Sequence, residues 1–381
     1  MSIARFCERC ERITQDGHLW CQEKDCPAEE GYPVFSYGDY LGDLKVTKLI
    51  VVWRTAALYE ALRADQKVWL KVAHAQPDCE DRLRREAAFL ASIGATARRQ
   101  STGQSWRAEA HPTHLTLLAP YPTPSKRQFG EISYRGETRV YSVFQPVKGS
   151  LLSDLLLENP QVWHYEAAWV IETVAEALRP LIGRKMVHLN LAPNVVWAEI
   201  DSEGHWRPTV LDFGWMWDGR MDSGAASLEE MISRCEPAYT APELFKGRGA
   251  AAISPACDAY SLGLVLYEML AGRPGFERLL QGDEQVRRVV AQNRAPLPID
   301  RPELEQAGVV KIVAKAIAPD ERHANVQQLA KAISAVYGQP PPEKRPLSIR
   351  AYLLIGAVIV VLLAVALGIA YLLLQVWLGG S

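Results

Sequence analysis

The chain has 381 residues, a length that suits two or three domains. With 48% hydrophobic and 23% charged residues it reads as globular with ample core, and a disordered chain is excluded. The formal net charge of −2 excludes a dominant nucleic-acid-binding surface, so no nucleic-acid partner is expected.

The N-terminus, Met1 to Glu8, has no apolar core of a secretory signal, and none is expected. Residues 1–30 hold four of the seven cysteines, as Cys7-x2-Cys10 and Cys21-x4-Cys26 with ten residues between the pairs. In a reducing compartment such pairs read as a tetrahedral Zn²⁺ site, a zinc-ribbon-like module whose metal supplies folding energy that so short a segment lacks. The second half is looser than C-x2-C, so His18 is an alternative ligand, and unligated or redox thiols are the competing reading. Cys79, Cys235 and Cys257 are isolated and read as ordinary thiols.

Residues 36–338 form the main domain. Strands are expected at 45–52 and 58–63, a turn at 64–67, and a third strand at 68–73. A helix follows at 81–93, with Leu83, Ala87, Leu90 and Ala91 on one face. Further strands are expected at 115–118 and 140–144, with a Pro-rich loop between them. After Gly149 the pattern turns helical, at 151–157, 166–184, 261–270, 309–317 and 325–336. A small sheet with one helix, then a larger helical region, is an α+β arrangement in two lobes, divided here at 147/148.

Residues 339–350 contain Pro340, Pro341, Pro342 and Pro346 and read as a stiff linker. From Ala351 to Ser381 no residue is charged. At about 1.5 Å per residue a helix over 351–377 exceeds the ~30 Å hydrocarbon core, so a single transmembrane helix is expected there. Lys344, Arg345 and Arg350 precede it and Trp377 suits the far interface, which puts the main domain on the cytoplasmic side of the membrane. Four residues follow, so the expectation is a tail anchor.

Chemistry-bearing motifs lie in a fixed order along the main domain. Val68-Trp69-Leu70-Lys71 occupies the third strand and Glu86 the next helix. Tyr141 to Leu151 is a strand and connecting segment. His188-Leu189-Asn190-Leu191-Ala192-Pro193-Asn194-Val195 precedes Leu211-Asp212-Phe213-Gly214, and Ala241-Pro242-Glu243 stands 29 residues after Asp212. Asp258 to Gly263 and Pro319-Asp320-Glu321-Arg322 complete the set. In this order they resemble the protein kinase family, and the bacterial Ser/Thr kinases in particular.

The resemblance implies ATP and Mg²⁺ as ligands. Lys71 would contact the nucleotide phosphates and pair with Glu86, and Asp212 would hold Mg²⁺. The backbone at Gln145 and Val147 would meet adenine. Glu243 and Arg322 are expected to form a buried structural ion pair.

The same comparison exposes losses. The family's H-R-D-L-K-P-x-N places a catalytic Asp where this chain has Asn190, and a metal-binding Asn where it has Val195. Leu189 stands for the Arg, Ala192 for the Lys, and Glu236 where a Thr would touch the catalytic Asp. A one-residue slip would bring Asn194 to the metal position. Val51, Trp53 and Ala56 fall where G-x-G-x-x-G should cover the phosphates, and no glycine lies between Leu44 and Leu70. The resulting expectation is a pseudokinase acting as a signalling scaffold or allosteric regulator. An atypical Ser/Thr kinase using Asp212-bound Mg²⁺, and an adaptor that binds no nucleotide, are the alternatives. The protein partners are not legible.

Overall fold

The strands Leu44–Val52, Ala56–Arg63 and Gln66–Ala73 form an antiparallel meander that sets the frame of the first lobe. The computed structural model describes residues 4–7, 13–14, 31–100, 113–122, 126–219, 228–246, 249–276 and 282–337. Met1–Pro341 make one unit by their contacts; the separate unit Pro342–Ser381 lies outside the described residues. The expected linker at 339–350 and transmembrane helix at 351–377 therefore fall outside them too. Among the described residues no helix is long and apolar enough to cross a membrane.

Near the N-terminus, β1 (Ala4–Phe6) pairs with β2 (Ile13–Thr14) and β3 (Tyr32–Val34) in an antiparallel sheet. The first lobe is an antiparallel sheet of β4 (Tyr40–Leu41), β5 (Leu44–Val52), β6 (Ala56–Arg63), β7 (Gln66–Ala73), β8 (Leu117–Leu118), β9 (Gly130–Tyr134) and β10 (Glu137–Phe144). Its spatial order is β4-β5-β6-β7-β10-β8, with β9 paired to β10. The β6–β7 turn is tighter than the four residues expected. Ala64 and Asp65 alone make it, with φ of 46° and 65°, and Gln66 and Lys67 already belong to β7. Helix α1 (Pro77–Gln100) packs across this sheet. It begins four residues before the expected helix because Pro77 can occupy a first-turn position and Asp78 and Glu80 favour the N-terminal dipole.

The second lobe opens with β11 (Ser150–Leu151), which pairs with β12 (Val196–Ile200), itself paired with β13 (Trp206–Val210). Gly149, at φ 117°, precedes it, and a Cβ there would stand 2.2 Å from the Ala198 carbonyl oxygen, so only glycine fits. The helices are α2 (Leu152–Glu158), α3 (His164–Ala177), α4 (Arg179–Gly183), α5 (Leu228–Ser233), α6 (Pro255–Ala271), α7 (Asp283–Ala291), α8 (Pro302–Gln306), α9 (Val309–Ala316) and α10 (Val326–Tyr337). The single helix expected over 166–184 is broken at Leu178, because Pro180 cannot continue it and can only sit in the first turn of a new one. α6 is buried almost along its whole length and joins the main core, which runs from Trp69 and Phe89 of the first lobe into α3 and α10 of the second.

Candidate active site between the two lobes

Strand β7 alternates its side chains, so Trp69 and Lys71 share one face. Lys71 Nζ lies 2.6 Å from Glu86 Oε2 on α1 and 2.6 Å from Asp212 Oδ1. All three side chains are at most 2% exposed, so this ion triad is fully desolvated. Glu86 Oε1 accepts the Phe213 N–H at 2.8 Å, and Asp212 Oδ1 also accepts the Gly214 N–H at 3.0 Å. Burial opposes the charge on Lys71, yet the two carboxylates hold its pKa above the ordinary value. Burial likewise opposes ionisation of Asp212, but Lys71 holds it below the usual carboxylate range. Glu86 goes the other way: burial pushes it up to about 7, the Lys71 charge offsetting only part of that.

The octapeptide of residues 188–195 is held from beneath by α6. Asp258 accepts the backbone N–H groups of His188 and Leu189, each at 2.8 Å. Leu189 sits at φ 69°, a left-handed conformation unfavourable for a branched side chain, and these two bonds fix it there. Burial raises Asp258 to about 7. The His188 ring lies 2.5 Å by Nε2 from the Asp212 carbonyl. A carbonyl only accepts, so Nε2 carries the proton. Burial lowers His188 to about 4, so the ring is neutral. Phe213 lies between His188, edge to face at 5.4 Å, and Phe89 of α1, tilted at 5.3 Å. The apolar contacts thus join both lobes behind the ion triad.

Asn190 is 8% exposed, and its Oδ1 accepts the backbone N–H of Glu236 at 2.8 Å. The main chain of Glu236, through this N–H, takes up the amide oxygen. Ala192 and Val195 are 1% and 0% exposed, and Val195 belongs to the hydrophobic core. Val195 offers a metal nothing. Asp212 Oδ2 and Asn194 Oδ1 are among the oxygens buried without a partner. Hard oxygen donors of this kind fit Mg²⁺, and they are the residues that would hold it.

The turn between β5 and β6 closes over the triad. Residues 53–55 make it, with the Trp53 N–H donating to the Ala56 carbonyl at 2.8 Å. The Trp53 ring stands 4.9 Å from Lys71 Nζ, and its Nε1–H donates to the Asn194 carbonyl of the second lobe at 3.0 Å. Nearer the segment that joins the lobes, Trp69 meets Trp197 of β12 edge to face, with centroids 4.8 Å apart. Trp197 Nε1–H donates to the Lys148 carbonyl at 2.8 Å. In the joining segment the Gln145 N–H donates to the Thr116 carbonyl at 2.9 Å, and Val147 packs half-buried against the core.

The structure therefore brings Lys71, Glu86 and Asp212 together and leaves Asn190, on the octapeptide, bonded to Glu236 and His188. Glu243 and Arg322 make the expected pair, bidentate at 3.0 and 2.9 Å, but part-buried rather than buried, with the Glu243 side chain 22% exposed. Sequence reasoning did not see that Trp69 meets Trp197, or that Trp53 reaches Lys71 and Asn194. The period-two alternation that pairs Trp69 with Lys71 was the one available signal. Of the expected zinc ligands, Cys7 is buried beside β1, whereas Cys10, Cys21 and Cys26 lie outside the described residues. Among the described residues no three His, Cys, Asp or Glu side chains cluster to hold a metal.

The family model for the protein kinase domain matches residues 129–336, more than half of the chain. Serine/threonine-protein kinases drp72 of Corynebacterium efficiens is 30% identical over 223 residues, which cover 57% of this chain and 39% of that protein. Serine/threonine-protein kinase pkn2 of Myxococcus xanthus is 25% identical over 291 residues, 74% of this chain and 30% of that protein. Ribosomal protein S6 kinase 2 alpha of Xenopus laevis is 30% identical over 144 residues, 38% of this chain and 19% of that protein. The chain thus spans well under half the length of these relatives.

Proposed function

The chain belongs to the protein kinase family, and from that premise we propose that it is a pseudokinase, a kinase-fold signalling scaffold or allosteric regulator held at a membrane. One observation carries this reading. At the position where the resemblance calls for a carboxylate base stands Asn190, an amide with no useful basicity, whose oxygen already accepts the Glu236 N–H at 2.8 Å. The apolar burial of Ala192 and Val195 supports it, since neither side chain can neutralise a transferring phosphoryl group or bind its metal.

Radiolabelled phosphate transfer from ATP tests this, using the full chain in detergent with a general protein substrate and the Asp212→Asn variant alongside. The expected result is incorporation no higher than that of the variant. Incorporation that depends on Asp212 would overturn the proposal. It would favour a second reading, an atypical Ser/Thr protein kinase, which draws support from the two orphaned oxygens on Asp212 and Asn194.

The spacing of Cys7, Cys10, Cys21 and Cys26 supports a Zn²⁺ site, and the uncharged run at 351–377 supports a single-pass anchor with the kinase-like domain on the cytoplasmic side. Elemental analysis of the purified full chain and membrane fractionation address these two in turn. A folded protein without zinc, or one recovered wholly in the soluble fraction, removes the corresponding part.

A further inference from the structure

We propose that Trp53 is a displaceable plug: the lid closes the interlobe cleft with the chain's own indole, and nucleotide access requires that indole to swing out. The inference deepens the reading of this cleft as a nucleotide site and rests on it.

The closed position is held on three sides. Inside the cleft, the Trp53 ring lies over the Lys71 ammonium at 4.9 Å and its N–H reaches Asn194 at 3.0 Å. These contacts tie the first lobe to the second at the place where phosphates would enter. Toward the second lobe, the neighbouring Arg54 donates to the Ser233 and Cys235 carbonyls at 3.3 and 3.5 Å and pairs with Asp283 of α7. Toward the N-terminus, the Trp53 carbonyl accepts from His74 Nε2 at 2.7 Å. The His74 ring stacks on Tyr32 of β3, with centroids 4.0 Å apart and planes 8° from parallel. The lid is thus latched to α7 by a charge and to the N-terminal sheet by a stacked ring.

The closed state is also incompletely satisfied. Thr55 Oγ1, Asn194 Oδ1 and Asp212 Oδ2 are buried without partners. Thr55 belongs to the lid turn and its Oγ1 lies beside Gly214, within 3.8 Å of where a Cβ on that glycine would stand. Asn194 carries the carbonyl that Trp53 grips, and Asp212 grips Lys71. All three oxygens therefore belong to residues around the plug. Indole packing favours closure while orphaned oxygens oppose it. Such a balance makes a two-position element rather than a fixed piece of core, and a Mg²⁺-bound triphosphate would reverse it by supplying those oxygens with a cation. Trp53 lies in a three-residue turn between strands, where a change of backbone angles leaves the β5–β6 ladder intact.

The test is binding of a fluorescent N-methylanthraniloyl ATP, with and without Mg²⁺, to the full chain in detergent. Trp53→Gly should bind at least tenfold more tightly than wild type, because apparent affinity scales with the open fraction. Adding Lys71→Met to Trp53→Gly should abolish the gain, which places the probe in the cleft. Asp283→Asn and Tyr32→Ala loosen the latches without touching the cleft. Each should tighten binding several-fold, and they decide the matter if Trp53→Gly does not fold. Affinities within twofold of wild type in every folded variant, including no binding in any, would overturn the plug. Phosphate transfer is read separately, so the pseudokinase reading can survive failure of the plug, and the reverse.

Discussion

Glu86 titrates in an unusual window, and its replacement by Gln makes that visible. The side chain is 1% exposed, with Oε2 on Lys71 at 2.6 Å and Oε1 on the Phe213 N–H at 2.8 Å. Burial lifts its pKa from 4.5 to about 7. The folded state then keeps a proton that the unfolded state has already released, so ionisation of Glu86 disfavours folding. That penalty is absent below the unfolded pKa, grows as pH rises between 4.5 and about 7, and is complete above it. At ~1.36 kcal/mol per unit, the shift amounts to about 3 kcal/mol. The amide that Glu86→Gln introduces cannot ionise, still offers an oxygen to Phe213, and leaves Lys71 a single counter-charge in Asp212.

Glu86→Gln should therefore exceed wild type by under ~1 kcal/mol at pH 5 and by about 3 kcal/mol at pH 8. Guanidinium unfolding followed by tryptophan fluorescence at pH 5, 6, 7 and 8 measures both proteins. His74 and His188, each lowered to about 4 by burial, impose the opposite slope between their unfolded and folded values. They are common to both proteins and drop out of the difference. Parallel pH profiles, or a variant whose advantage shrinks as pH rises, would refute the reasoning.

Two further substitutions separate frame from chemistry. Arg322→Ala removes one partner of the bidentate pair with Glu243 and the cation over the Tyr260 ring at 5.1 Å. Breaking such a pair costs about 3 kcal/mol, a melting-temperature loss of roughly 6–12 °C by scanning fluorimetry, and an unchanged midpoint would contradict it. Asn190→Asp restores a carboxylate worth ~10²–10⁴-fold where the remaining machinery is present. With Ala192, Val195 and Trp53 in place, phosphate transfer should stay at background, and a hundredfold rise would show that the loss is one residue deep.

What could be read from the sequence was what depends on short-range pattern. The strands over Lys45 to Ala73 and the short turn between the last two are of this kind, whereas the meeting of Lys71 with Asp212, 141 residues away in the chain, is not. Pro77 and Pro180 were legible but under-used: one starts α1 earlier than its apolar face suggests, the other divides α3 from α4. The β9–β10 hairpin is not legible locally, because its turn, Arg135-Gly136 with φ of 54° and 84°, lies close to a Pro-rich stretch whose composition is that of a loop. α7 is not legible locally either. Most of its residues are charged or polar, and only Val286 and Val290 are buried. No local rule could place Trp53 against Asn194, 141 residues away, since that contact depends on how two lobes close.

The residues kept and lost around the cleft differ in what they do for folding. Leu189, Ala192 and Val195 are each at most 1% exposed, so the side chains standing where the family has charged or metal-binding groups now pack as ordinary apolar residues. Replacing buried ionic groups by apolar ones is neutral or favourable for stability. The Lys71–Glu86–Asp212 triad runs the other way. It holds two carboxylates on one ammonium in a site without solvent, drives Glu86 up to about 7 and leaves Asp212 Oδ2 unsatisfied. A chain under selection for fold alone has a cheaper solution at hand, the one it adopts a few residues away. An ammonium and two carboxylates buried together between the lobes are instead an arrangement that fits a charge-bearing ligand, the kind a protein kinase domain implies.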